Sequence, residues 1–178
     1  MKRSVAVADP LKEPITLSEA KKHLEIADFD DTHDSEVRTI MASARELWEH
    51  DTQSLTIPRT VTETLVAWPD QDWRTFYRPL VSIDSVEYRV GGVYTAFTDF
   101  EVDLCNRQIH IEDHPNIDNT WDAVKIVYTA GKETEIARHA IKLQIDAMFE
   151  LRGMTKNKDA VIKAYESLVD RFQRSSYP

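Results

Sequence analysis

Apolar positions recur every three or four residues at both ends of the chain and every second residue in between, a pattern that predicts helices flanking a sheet. The first helical signal is PITLSEAKKHLEI. There Thr16 and Glu19, a hydroxyl and a carboxylate three residues apart, can satisfy each other's orphan backbone donors, and a short helix is expected from Leu17 to about Glu25. After the polar turn DFDDTHD, the residues Val37, Ile40, Met41, Ala44, Leu47 and Trp48 predict a longer amphipathic helix over Asp34 to Thr52. Its other face, with Arg38, Arg45, Glu46 and Glu49, is expected to be solvated.

From Leu55 to Tyr128 the period changes to two. LTIPRTVTETLVAW, SIDSVEYRV, FEVDL, RQIHI and AVKIVY predict five or six strands, with a turn at Gly91 and Gly92 and a hairpin around Cys105 and Asn106. Helical spacing then returns. Ile136, Ala140, Leu143, Ala147, Met148 and Leu151 form one stripe, widened by Ile141 and Ile145, and Gly153 is placed to cap the helix. A last helix is expected over Lys158 to Arg174, with Val161, Ala164, Tyr165, Leu168 and Phe172 on one face. The fold class is therefore α+β, a helical bundle with an inserted antiparallel sheet. A single domain is expected, with residues 1–13 as an extended arm, 14–55 and 132–174 as the bundle and 56–130 as the insertion.

Composition narrows the function. The 178 residues are 42% apolar and carry a formal charge of −9, which argues against a generally basic nucleic-acid-binding surface. Only the segment from Lys132 onward has a positive balance. A single cysteine, Cys105, allows no intramolecular disulfide and fits a reducing compartment. The opening MKRSVAVADP lacks the apolar run of a signal peptide, and a soluble protein made in a cytoplasm is expected.

Candidate chemistry is sparse. VKIVYTAGKETEIARHAIK has the strand, loop and helix order of a phosphate-binding loop, but Ile126 stands where the first glycine of G-x-x-x-x-G-K-[ST] belongs and Glu133 replaces the hydroxyl. Gly131 reads instead as a glycine that lets the chain turn from sheet to helix. His110 and His114 have a helical metal-ligand spacing, but on an extended segment ending at Pro115. Asp99, Glu101 and Asp103 alternate on one strand face and could gather a cation, or simply form the wet side of a sheet. Cys105 has no activating motif, and Ser54, Ser82 and Ser85 lie in no G-x-S-x-G elbow. No enzyme activity and no cofactor are expected.

Taken in order, PITLSEAKKHL, the acidic turn, EVRTIMASARELWEH, IPRTVTETLVAWP, RPLVSIDSVEY and VKIVYTAG resemble the head-tail connector, or adaptor, proteins of tailed bacteriophages and prophages. The likeness runs from Pro14 to Gly153, YTAG being its sharpest element, and CNRQIHIEDHPNID departs from the shorter turn often found in relatives. It implies a virion protein assembled in the host cytoplasm, forming a ring, a dodecamer by resemblance, beneath the portal. Expected partners are the portal protein, neighbouring copies and a stopper or tail component, with DNA passing through unbound. Within that reading the last helix is the expected docking element. Lys158, Lys163, Arg171 and Arg174 would orient it, and Val161, Tyr165, Leu168 and Phe172 would anchor it on the portal or a neighbour. The alternatives are another neck or tail-completion protein, or a metal-dependent hydrolase using His110 and His114.

Overall fold

The computed structural model describes residues 2–69, 72–150 and 158–175. The chain divides into two compact units, one formed by Met1–Pro10 and Ile57–Lys132, the other by Leu11–Thr56 and Glu133–Pro178. The fold is α+β. Gly153 lies outside the described residues.

The first unit holds β1 (Arg3–Val7), β2 (Arg59–Leu65), β3 (Asp72–Arg74), β4 (Leu80–Val90), β5 (Val93–Phe97), β6 (Glu101–Asp103), β7 (Gln108–His110) and β8 (Val124–Ala130). Five of these form an antiparallel sheet in the order β1-β2-β8-β4-β5, and three form a small sheet in the order β3-β7-β6. β8 is central because its alternation is the cleanest in the chain. Val124, Ile126, Tyr128 and Ala130 are buried while the residues between them are half-buried. Register carries that face outward, placing Val61 beside Tyr128, Glu63 beside Ile126, and Val86 on the other side of Ile126. RSVAV, DWR and VYTAF were not among the strands predicted from the sequence. RSVAV, in the segment read as an arm, pairs along its whole length with β2 from Arg3↔Leu65 to Val7↔Val61.

The second unit holds α1 (Leu17–His23), α2 (Asp34–Thr52), α3 (Glu135–Glu150) and α4 (Lys158–Ser175). The Thr16 hydroxyl accepts from Glu19 N at 3.2 Å, and the Glu19 carboxylate accepts from Thr16 N at 2.9 Å, which fixes the start of α1. α2 ends where Gln53 turns left-handed, φ +52°. Val37, Met41, Ala44 and Trp48 of α2 meet Ala137, Ala140, Ile141 and Ile145 of α3 in one core. The buried side of α3 is therefore rotated from the expected stripe, and Ile136 is 49% exposed. Alanines at 137 and 140 allow close helix approach, so the larger isoleucines one turn later take the centre.

Candidate functional site

The α4 residues expected to dock are divided by the fold. Tyr165 is buried, its hydroxyl donates to Asp51 Oδ2 at 2.9 Å, and its ring meets Trp48 edge-on at 6.4 Å. Leu168, Val169 and Phe172 pack against the same core, with Phe172 5.2 Å from Trp48 between ring centres. Gln173 Nε2 adds a bond to the Asp51 carbonyl at 2.8 Å. An indole as large as Trp48 needs the fourth helix to cover it, so the apolar face of α4 belongs to the core of this chain. Val161 is half-buried, while Lys163 and Arg171 are exposed. The helix carries Lys158 and Arg174 at its ends, and their side chains lie outside the described residues. The outward part of α4 is thus polar and of mixed charge, with Lys163 and Arg171 beside Glu166 and Asp170, and its apolar anchors face inward.

The back of α2 also differs from expectation. Arg45 and Glu49 are buried rather than solvated. Arg45 Nε pairs with Glu13 at 2.9 Å and Nη1 with Glu49 at 3.1 Å, and Glu49 Oε1 accepts from Thr56 N and Oγ1 at 3.0 and 2.8 Å. Burial opposes the charge on Arg45, but Glu13 and Glu49 outweigh it and hold its pKa above the ordinary value. The i,i+4 spacing of Arg45 and Glu49 was visible in the sequence, but the third member, Glu13, lies 32 residues away. Arg138 does similar work at the start of α3, bonding to Glu19, to the Pro14 carbonyl and, at 2.8 Å, to Glu133. Glu133, which spoils the phosphate-loop pattern, is therefore a structural partner.

A second buried polar cluster sits in the main sheet. Glu63 is fully buried; its Oε1 accepts from the Tyr128 hydroxyl at 2.5 Å and from Phe76 N at 2.8 Å, and Oε2 meets Arg3 Nε at 3.2 Å. Arg3 also lies over the Trp73 ring at 5.3 Å. This cluster fastens β1 to the sheet. Burial pushes the Glu63 carboxyl above its ordinary 4.5, against the pull of Tyr128, Phe76 N and Arg3, and it pushes the Tyr128 phenol up as well. A raised carboxyl pKa means the folded state binds the proton more tightly. The stability this supplies is complete below the ordinary carboxylate value and fades as pH rises through the raised one. Wild-type stability relative to Glu63→Gln should therefore decline in urea titrations as pH rises above the ordinary carboxylate value. A relative gain with rising pH would contradict the assignment.

The remaining titratable candidates are brought together only in part. Asp99, Glu101, His110, Glu112 and Asp113 line an open polar hollow of about 220 Å³ with Thr98 and Phe100. Asp103 instead caps the Cys105 turn, accepting from Cys105 N at 2.9 Å and Asn106 N at 3.0 Å. His114 stacks on Trp68 with ring centres 5.4 Å apart. Among the described residues no group of three His, Cys, Asp or Glu side chains has a metal-binding arrangement. Cys105 is exposed and carries no disulfide. Gly131 has φ +123°, its N–H donates to the Pro79 carbonyl at 2.9 Å, and its Cα lies against the Ile57 carbonyl.

The architecture these features define, a unit of strands and a unit of helices each made from two segments of the chain, is one with solved counterparts. It is similar to a chain from the neck of an empty GTA particle computed with C6 symmetry, with a TM-score of 0.76, 17% identity, and coverage of 96% of this chain and 95% of that one. A chain from the virion of the native gene transfer agent (GTA) particle gives 0.75 at 18% identity, covering 95% and 94%. A chain from the neck of the native GTA particle computed with C12 symmetry gives 0.69 at 19% identity, covering 96% and 94%. No protein-family model matches the sequence. No curated protein matches it either.

Proposed function

We propose that this chain is a structural head-tail adaptor of a tailed bacteriophage particle, forming a ring under the portal that extends the DNA channel and presents a platform to the next neck or tail component. The observation that carries this reading is likeness over nearly the whole length of both chains to proteins of particle necks, including reconstructions with C6 and C12 symmetry. Buried charges add support for a structural role rather than catalysis. Arg45, Glu49 and Glu63 are held by neighbouring side chains and backbone groups, as befits a scaffold. The same likeness fits another neck position, and location decides between them. A cryo-EM map of particles carrying a labelled copy of the chain should show density directly beneath the portal. Density only at a lower tail position, or none in the virion, would reject the adaptor assignment.

The conduit role also predicts weak DNA affinity. Nonspecific binding is supplied mainly by cations that neutralise phosphates, and this chain has 31 acidic residues against 22 basic ones. Any residual binding should come from the basic positions of the last segment, Lys156, Lys158, Lys163, Arg171 and Arg174. In a gel-shift series it should disappear at physiological salt. Binding that persists at high salt would count against a channel through which DNA slides.

A further inference from the structure

The free edge of β5 is unprotected. Val93, Tyr94, Thr95 and Ala96 are all exposed and none is charged, in a chain whose residues are 30% charged. Exposed edges are usually blunted by a charge, a proline or a bulge, because their unpaired N–H and C=O groups template another strand. Consecutive exposed residues of this kind have a use when they are covered in an assembly. The arm that carries them is held in shape. Asp118 accepts from Gly91 N and Gly92 N at 3.0 and 2.8 Å, and Asp122 Oδ2 takes both Arg89 Nη1 at 2.7 Å and the Tyr94 hydroxyl at 3.0 Å. Little ordering cost remains to be met on binding.

The opposite edge of the sheet is β1, where Ser4, Val5, Ala6 and Val7 are equally uncharged. Every neighbouring pair in the five-stranded sheet is antiparallel, so β1 and β5, four places apart, run in the same direction. Register places Val5 and Val7 of β1, and Val93, Thr95 and Phe97 of β5, on the face that is buried at Ile126. Ser4 and Ala6 share the other face with Tyr94 and Ala96. The two edges therefore match in direction and in sidedness, and the one charge on them, at Arg3, is paired with Glu63.

We infer that β5 pairs in parallel with β1 of a second copy of this chain, a head-to-tail contact that uses both free edges of the sheet. It rests on the ring reading, since a heterologous contact closes only through a cyclic arrangement. It assigns that reading its subunit interface. Arg3, bound to Glu63, would hold the receiving strand in place while the neighbour's β5 adds to it.

Site-specific cross-linking of the full chain tests this. In a Cys105→Ser background, Ala96→Cys together with Ser4→Cys should give a ladder of dimers and higher species with a short bismaleimide at high protein concentration, while either cysteine alone should stay monomeric. Dimers from Ala96→Cys alone would mean β5 pairs with β5, and no product in any variant would mean the edges do not meet; both overturn the inference. In a two-residue hairpin the flanking pair, Val90 and Val93, is hydrogen-bonded, so alternation turns the Ala96 N–H away from β4. Ala96→Pro should thus keep the wild-type melt and abolish the ring, and Ala96→Lys replaces it if proline disturbs folding. Rings that still form on particles with these variants would reject the edge contact while leaving the adaptor role intact. Wild-type protein missing from the neck would instead remove the adaptor role itself.

Discussion

Gly131→Ala should destabilise the sheet unit by about 3 kcal/mol or more, the largest effect expected of any single methyl group in the chain. Two costs combine. The residue sits at φ +123°, a conformation that L side chains rarely adopt, and an added Cβ would lie 2.6 Å from the Ile57 carbonyl carbon and closer still to its oxygen. The clash is with backbone, which cannot rotate away like a side-chain tip. Relief by movement is blocked as well, because Ala130 pairs with Arg59 on one side and Leu80 on the other, and the Gly131 N–H is bonded to Pro79. Gly91 and Gly92 provide the control. Both have positive φ, but a Cβ there meets nothing within 4 Å, so alanine at either should cost only about 1 kcal/mol. Urea denaturation of the three variants should separate them clearly. ATP with magnesium should leave the Gly131 variant and the wild type equally unmoved, and a nucleotide-dependent shift would revive the phosphate-loop reading.

The contrast among these glycines shows what a sequence makes visible. Gly91-Gly92 after the alternating run SIDSVEYRV announces a turn from local pattern alone. Gly131 announces a corner, yet the reason only glycine fits there is the carbonyl of Ile57, 74 residues away in the chain. The same division runs through the fold. α2 was legible to its ends because its stripe is long and regular, and β8 because its alternation is strict. β1 was missed because five residues, RSVAV, give little periodic signal until β2 supplies their partner. The buried clusters were the least legible. Arg45, Glu49 and Glu63 look like surface residues in a linear reading, and only Glu13, Thr56, Arg3 and Tyr128, brought in from distant positions, make their burial tolerable. α4 was read correctly as amphipathic, but amphipathicity does not say whether the apolar face belongs to the same chain or to another.

That question sets the other large prediction, which concerns α4. Ending the chain at Glu150 should unfold the helical unit rather than yield a folded protein that has lost a docking arm. Removal would uncover Trp48 and strip away Tyr165, Leu168, Val169 and Phe172 together. Truncating one buried aromatic typically costs about 3–5 kcal/mol, so losing several contacts at once should exceed a stability margin of about 5–15 kcal/mol or come near it. Leu168→Asp should act in the same direction by about 2–4 kcal/mol, since it puts a carboxylate against that core. Both effects should appear as a lower or vanished thermal transition by circular dichroism. Docking, in contrast, should be separable from folding at the exposed cations. Lys163→Glu with Arg171→Glu touches nothing in the core and should leave the melt within about 0.5 kcal/mol of wild type, yet beside Glu166 and Asp170 it makes the outward side of α4 strongly acidic. If that side meets the portal, the doubly reversed protein should be folded and fail to co-sediment with DNA-filled heads. Normal decoration of heads by this variant would remove α4 from the portal contact and leave it a purely internal helix, and a truncated chain that still melts cooperatively as two units would show that α3 closes the core unaided.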